Sequence, residues 1–85
     1  MSKKVVTRTQ TGVRIESSLL KVLKALAEYF DITLGDLLEG IVLHAFDGKS
    51  PFTTDETLQR IADLKRIYGA DYDSSASHNL IEEGR

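Results

Sequence analysis

The stretch Val5-Val6-Thr7-Arg8-Thr9-Gln10-Thr11-Gly12-Val13-Arg14-Ile15 decides how this chain is read. It is rich in β-branched residues, which suit a pleated, extended backbone. From Arg8 onward Arg8, Gln10, Gly12 and Arg14 fall on one face, and Thr9, Thr11, Val13 and Ile15 on the other. A polar face alternating at period two with an increasingly apolar one predicts a β-strand over residues 8–15. No later segment reads as a second strand. A lone strand presents a row of unpaired backbone donors and acceptors, which templates pairing with another chain. The strand is therefore expected to pair with its own copy in a second subunit.

Beyond Ile15 the apolar period becomes helical. Ser17 or Ser18 is a suitable N-cap, and Leu19, Val22, Leu23, Leu26 and Phe30 recur at helical spacing. Asp31 and Ile32 mark a short turn. A second helix is expected from Thr33, with Asp36 as an acidic capping-box partner and Gly48 as its stop. Its apolar set is Leu34, Leu37, Leu38, Ile41, Val42, Ala45 and Phe46. A short helix apolar over so much of its circumference implies packing on two sides, and so a dimer core. Gly40 inside it should cost roughly 1 kcal/mol relative to alanine, and close approach of another helix would account for it. Ser50-Pro51-Phe52 is a break. Thr53 and Glu56 then read as a capping box for a third helix at about 54–68, carrying Leu58, Ile61, Ala62, Leu64, Ile67 and Tyr68 and ending at Gly69. Residues 71–85 are polar and serine-rich, and read as a flexible tail or weak terminal helix.

Composition limits the alternatives. At 85 residues the chain is one small domain, which alone buries only about two-thirds of its unfolded surface. It has no cysteine, so neither a disulfide nor a thiolate zinc site can supplement the core. A second subunit is the natural supplement. Polar Thr7–Thr11 follows Lys3 and Lys4 where a signal peptide would be apolar. Leu37–Phe46, the longest apolar region, is too short to span a bilayer. A soluble, cytoplasmic protein is expected, without membrane association.

The net charge of −2 conceals an asymmetry. Residues 1–30 hold six basic and two acidic residues (+4), residues 31–50 one and four (−3), and residues 51–85 four and seven (−3). A basic first third suits an anionic partner, with the acidic remainder turned away.

Strand, helix, tight turn, helix, in that order, resembles the ribbon-helix-helix family of bacterial and phage repressors, the Arc, MetJ and CopG type. The resemblance covers Gln10–Phe46, 37 of 85 residues. It implies a mainly α fold: a homodimer with one N-terminal strand per subunit paired into a ribbon, two core helices, and here a third C-terminal helix. Residues 1–48 would be the DNA-binding and dimerisation domain, and residues 49–85 an extension. The implied dimer core is Val13, Ile15, Leu19, Val22, Leu23, Leu26, Leu34, Leu38, Ile41, Val42 and Phe46. The implied function is a sequence-specific transcriptional regulator, a repressor, whose ribbon enters the major groove of double-stranded DNA, with higher-order assembly on DNA possible.

In that family three alternating strand positions read bases, and the matching residues are Gln10, Gly12 and Arg14, with Arg8 as a further candidate. Arg14 suits guanine and Gln10 adenine, at about 1–3 kcal/mol of discrimination each. Gly12 has no side chain to read with; it either lets the ribbon sit close to DNA or thins the readout. The family also clamps phosphate at the start of the second helix, here Thr33, Leu34 and Gly35. Thr33 either serves phosphate or caps its helix, and Asp36 opposes an anion. Lys3, Lys4, Lys21 and Lys24 are better placed to supply salt-dependent affinity.

Two alternatives stay open. One is an antitoxin, with a DNA-binding N-terminus and an acidic toxin-binding segment in residues 51–85. The other is a dimeric interaction module without DNA binding, suggested by Gly12, Asp36 and the acidic balance. No catalysis, cofactor or metal is expected. Asp73, Ser75 and His78 are the residue types of a hydrolase triad, but a polar tail supplies no rigid scaffold or oxyanion hole. His44 reads as a helix-surface or core histidine.

Overall fold

A computed structural model describes residues 3–83; the outermost residues of the two expected segments, 1–2 and 84–85, lie outside it. Three helices follow one another: α1 (Ser17–Phe30), α2 (Leu34–Phe46) and α3 (Asp55–Tyr68), with a single 3₁₀ turn at Ser74–Ala76. No helix among the described residues is long and apolar enough to cross a membrane.

Each helix has local reasons for its ends. Glu16, not Ser17 or Ser18, caps α1: its carboxylate accepts from the Ser18 and Leu19 amides at 2.7 and 3.2 Å. Asp31 ends α1 in the left-handed region (φ 58°), which a short polar side chain tolerates. The Asp31 amide then donates to Glu28 O (3.1 Å) and the Ile32 amide to Ala27 O (3.0 Å), a Schellman-type end. Thr33 caps α2 by accepting from the Asp36 amide at 3.0 Å. For α3 the cap is Thr54, one residue later than expected, accepting from the Thr57 amide at 3.2 Å. Gly69 closes α3 at φ 75°, a conformation that favours glycine.

The core lies around α1. Leu26, Ala27 and Leu37 are buried, with Leu23, Phe30, Ile41, Phe52, Ile61 and Leu64 packed against them. α1 packs on both α2 and α3, more extensively on α3, while the backbones of α2 and α3 stay apart. Phe52, from the α2–α3 connection, stacks on Phe30 with ring centroids 6.4 Å apart and fills the gap. Ala70, just past α3, is 2 % exposed. Outside this cluster, Tyr29 ties α1 to α3: its hydroxyl donates to Glu56 at 2.9 Å and Arg60 lies 4.7 Å above its ring.

One sequence expectation is overturned, and two further details are added to the reading. The described residues contain no strand, so the ribbon-helix-helix fold expected from residues 8–15 is not what forms; the chain is all-helical. The physical reason is that a strand is held by hydrogen bonds to a neighbour. Among the described residues, residues 3–15 make no backbone–backbone hydrogen bond, because no second strand lies beside them there. Gly40 is not explained by close approach within the chain: a Cβ built there meets nothing within 4 Å. The C-terminal residues fold back on α1, with the Tyr72 hydroxyl 2.6 Å from the Glu16 carboxylate.

Leu26, 2 % exposed at the centre of the cluster, sets the first expectation. Leu26→Ala should cost about 2–5 kcal/mol, a large part of the stability available to a chain of this size. Ile81→Ala, at a position 96 % exposed, should change stability by less than about 0.5 kcal/mol. Urea unfolding of the two variants checks this; equal effects would mean the core is misplaced.

Candidate nucleic-acid interface

Residues 3–14 form an exposed arm that leads into α1 at a half-buried Ile15. Among the described residues the arm makes no backbone–backbone hydrogen bond, and residues 3–14 are exposed. Gln10 and Gly12 are exposed, and the space around Gly12 is open to at least 4 Å.

Both arm arginines are already engaged by carboxylates. Arg8 donates from Nε and Nη2 to the two oxygens of Glu39 on α2, each at 2.9 Å, a bidentate fork. That fork raises the Arg8 pKa further above its ordinary value and holds Glu39 below the usual carboxylate range. Arg14 donates from Nε (3.1 Å) and Nη2 (2.5 Å) to Oε1 of Glu82 in the C-terminal segment. Lys3, Lys4, Lys21 and Lys24 are exposed and enter none of the ion pairs among the described residues.

The start of α2 is less favourable to an anion. Arg8 and three arm threonines border a shallow recess with Thr33, Gly35, Asp36 and Glu39. Leu34 is half-buried beside it. Thr33 Oγ1 is spent on capping, and two carboxylates face the same recess. Arg8 is what offsets their charge there.

The expected dimer-core residues divide into two groups. Val22 and Leu26 are buried within the chain, and Leu23 and Ile41 pack on its core. Ile15, Leu19, Leu34 and Leu38 are half-buried, whereas Val13 (75 %), Val42 (44 %) and Phe46 (82 %) are exposed. On α2, Leu37 and Ile41 face the core. Beside them Leu34, Leu38, Val42 and Phe46 form an adjacent apolar stripe, which the chain covers only at its Leu34–Leu38 end, leaving Val42 and Phe46 exposed. Gly40 and His44 line an open cleft of about 370 Å³ against Phe30, Ile32 and Phe52. His44 Nδ1 lies 2.7 Å from Gly40 O, making it a surface histidine bonded to its own helix.

Two further groupings have local explanations. Ser75 donates from both N and Oγ to Asp73 Oδ1 at 2.9 and 2.6 Å. These bonds cap the 3₁₀ turn and lower the Asp73 pKa. Among the described residues no group of three or more His, Cys, Asp or Glu is arranged to hold a metal ion.

Sequence reasoning missed Glu16, Glu39, Tyr72 and Glu82. Glu16 had a local signal, an acidic residue directly before the first helical turn. The other three have none, because their partners lie 31, 56 and 68 residues away.

The Glu16–Tyr72 contact gives a pH expectation with a definite sign. Hydrogen bonds from the Ser18 hydroxyl, Tyr72 and the Ser18 amide pull Glu16 from its ordinary 4.5 down to about 2. Its contribution to stability is therefore full above pH 4.5 and fades as pH falls through about 2. The same bond, with burial, pushes Tyr72 from 10.0 up to about 12, so its contribution fades as pH rises across that interval. Phenolate absorbance should show Tyr72 titrating late, and Tyr72→Phe should remove that late step. A titration with no late step that Tyr72→Phe removes would refute the contact.

No family model, no curated protein and no solved structure matches this chain, so no comparison supports the ribbon-helix-helix resemblance.

Proposed function

We propose that this chain is a DNA-binding transcriptional regulator that acts as a homodimer and contacts DNA through its N-terminal arm and the lysines of α1. The observation that carries this reading is the arm itself. Lys3, Lys4, Arg8 and Arg14 lie on an exposed segment that makes no backbone–backbone hydrogen bond among the described residues. Lys21 and Lys24, on α1 just beyond it, extend the basic surface. Lysines outside ion pairs suit phosphate neutralisation, which releases counterions and dominates affinity. Gln10 and Arg14 have the side chains that read base edges. The contact needs no strand: extended arms also reach into DNA grooves.

The homodimer is supported by the uncovered end of the stripe on α2. Phe46 at 82 % exposed and Val42 at 44 % are costly to leave in water, and a second copy is the simplest cover, since it presents the same stripe. The antitoxin alternative gains no support from α3, which already packs on the chain's own α1. An interaction module without DNA binding is favoured by one observation, the engagement of Arg8 and Arg14 by Glu39 and Glu82.

Anisotropy of a labelled random duplex at two salt concentrations tests the reading. A dimer neutralising about six phosphates should lose roughly 10³-fold in affinity between ~50 and ~200 mM salt. Lys24→Ala should weaken all sequences alike, and Arg14→Ala should reduce discrimination between sequences. Absence of binding at low salt would overturn the proposal in favour of the interaction module. Phe46→Asp should convert a sedimenting dimer to monomer; a wild-type chain that is monomeric at micromolar concentration would remove the homodimer.

A further inference from the structure

Arg14, the best base-reading side chain of the arm, is held by the chain's own C-terminus, and three observations show how. Ala70 is buried directly after α3 and starts the return of the chain towards α1. Tyr72 then donates to Glu16 at 2.6 Å, fastening the returning segment two residues from Arg14. Ten residues further on, Glu82 Oε1 accepts from both Nε and Nη2 of Arg14. A carboxylate taking two donors of a guanidinium occupies the donors that a guanine edge or a phosphate would take.

We infer that the C-terminal segment is an intramolecular mask over the arm, in which Glu82 competes with DNA for Arg14. The inference rests on the DNA-binding reading and adds a regulatory element to it. Both side chains of the pair are largely exposed, 73 % for Arg14 and 45 % for Glu82. Exposed pairs of this kind are weak, so the mask is exchangeable: it lowers affinity without abolishing it. Because DNA must break an ion pair to engage Arg14, masked protein releases fewer ions on binding. Its affinity should therefore fall less steeply with salt than that of unmasked protein. Tail-directed chemistry that removes the Glu82 contact would raise DNA affinity, and a partner that reinforces it would lower it.

The test uses the full-length chain and a random duplex at low salt. Glu82→Gln should bind about two- to fivefold more tightly than wild type, the range expected for losing an exposed pair, and with a steeper salt dependence. Glu83→Gln makes the same charge change one residue on and should give a smaller gain. In an Arg14→Ala background, Glu82→Gln should add nothing. Equal gains for Glu82→Gln and Glu83→Gln would reduce the effect to net charge and overturn the mask. So would an unchanged affinity for Glu82→Gln. The contact can also be read without DNA, from slowed exchange of the Arg14 Nε proton that Glu82→Gln abolishes. If that proton is protected and no variant binds DNA, the DNA-binding reading has failed and the mask with it, while the docked tail stands. If it is unprotected in wild type, the mask fails whatever the DNA result.

Discussion

The Glu16 carboxylate accepts hydrogen bonds from the Ser18 and Leu19 amides, the Ser18 hydroxyl and the Tyr72 hydroxyl. One anion thus satisfies otherwise orphaned donors at the start of α1 and also anchors the segment that returns from α3. α1 is the element on which both other helices pack, so fixing its first turn fixes the frame around which the core assembles. The arm departs from the same point. Where α1 begins, the direction of the arm and the position of the C-terminal segment are set together.

The charge distribution follows from that arrangement. The basic surplus of the first 30 residues meets carboxylates contributed by later parts of the sequence, Glu39 and Glu82. These meetings take place at the surface, where water and salt screen them. They can orient an exposed arm without committing it. Lysines left out of such pairs keep their full attraction for a polyanion, whereas the arginines must be exchanged from one acceptor to another. General affinity and sequence discrimination are in this way assigned to groups that start from different states.

Sequence periodicity located all three helices, because each carries an apolar stripe that the fold buries at least in part, and because Thr33, Gly48 and Gly69 punctuate them in recognisable ways. It misread residues 8–15. Alternation along Thr9, Thr11, Val13 and Ile15 records a preference for extended backbone, and the backbone is free of helix there. Pairing is a separate requirement that alternation cannot supply. The Glu16 cap was overlooked because Ser17 and Ser18, the better intrinsic caps, stood next to it. Tyr72 capturing Glu16 offsets that difference, and such capture depends on chain reversal at Gly69 and Ala70. Of the candidate site, the basic and base-reading residues were legible by type; the carboxylates that hold two of them were not, since nothing local ties Arg14 to a residue 68 positions on.

Gly40 sits half-buried in α2 with open space where a side chain would be. A glycine that packs nothing leaves the helix with its intrinsic penalty of about 1 kcal/mol and no compensating contact. Past it, every residue of α2 except Ile41 is exposed, so the second half of the helix is held by little besides its own backbone bonds. Native-state openings concentrate where burial is sparse. The amides from Val42 to Phe46 should accordingly exchange with solvent at a lower free energy than those at the centre of α1. Whatever covers this end of α2 therefore acts first on local order, and registers as slowed hydrogen exchange before it registers as a change of shape.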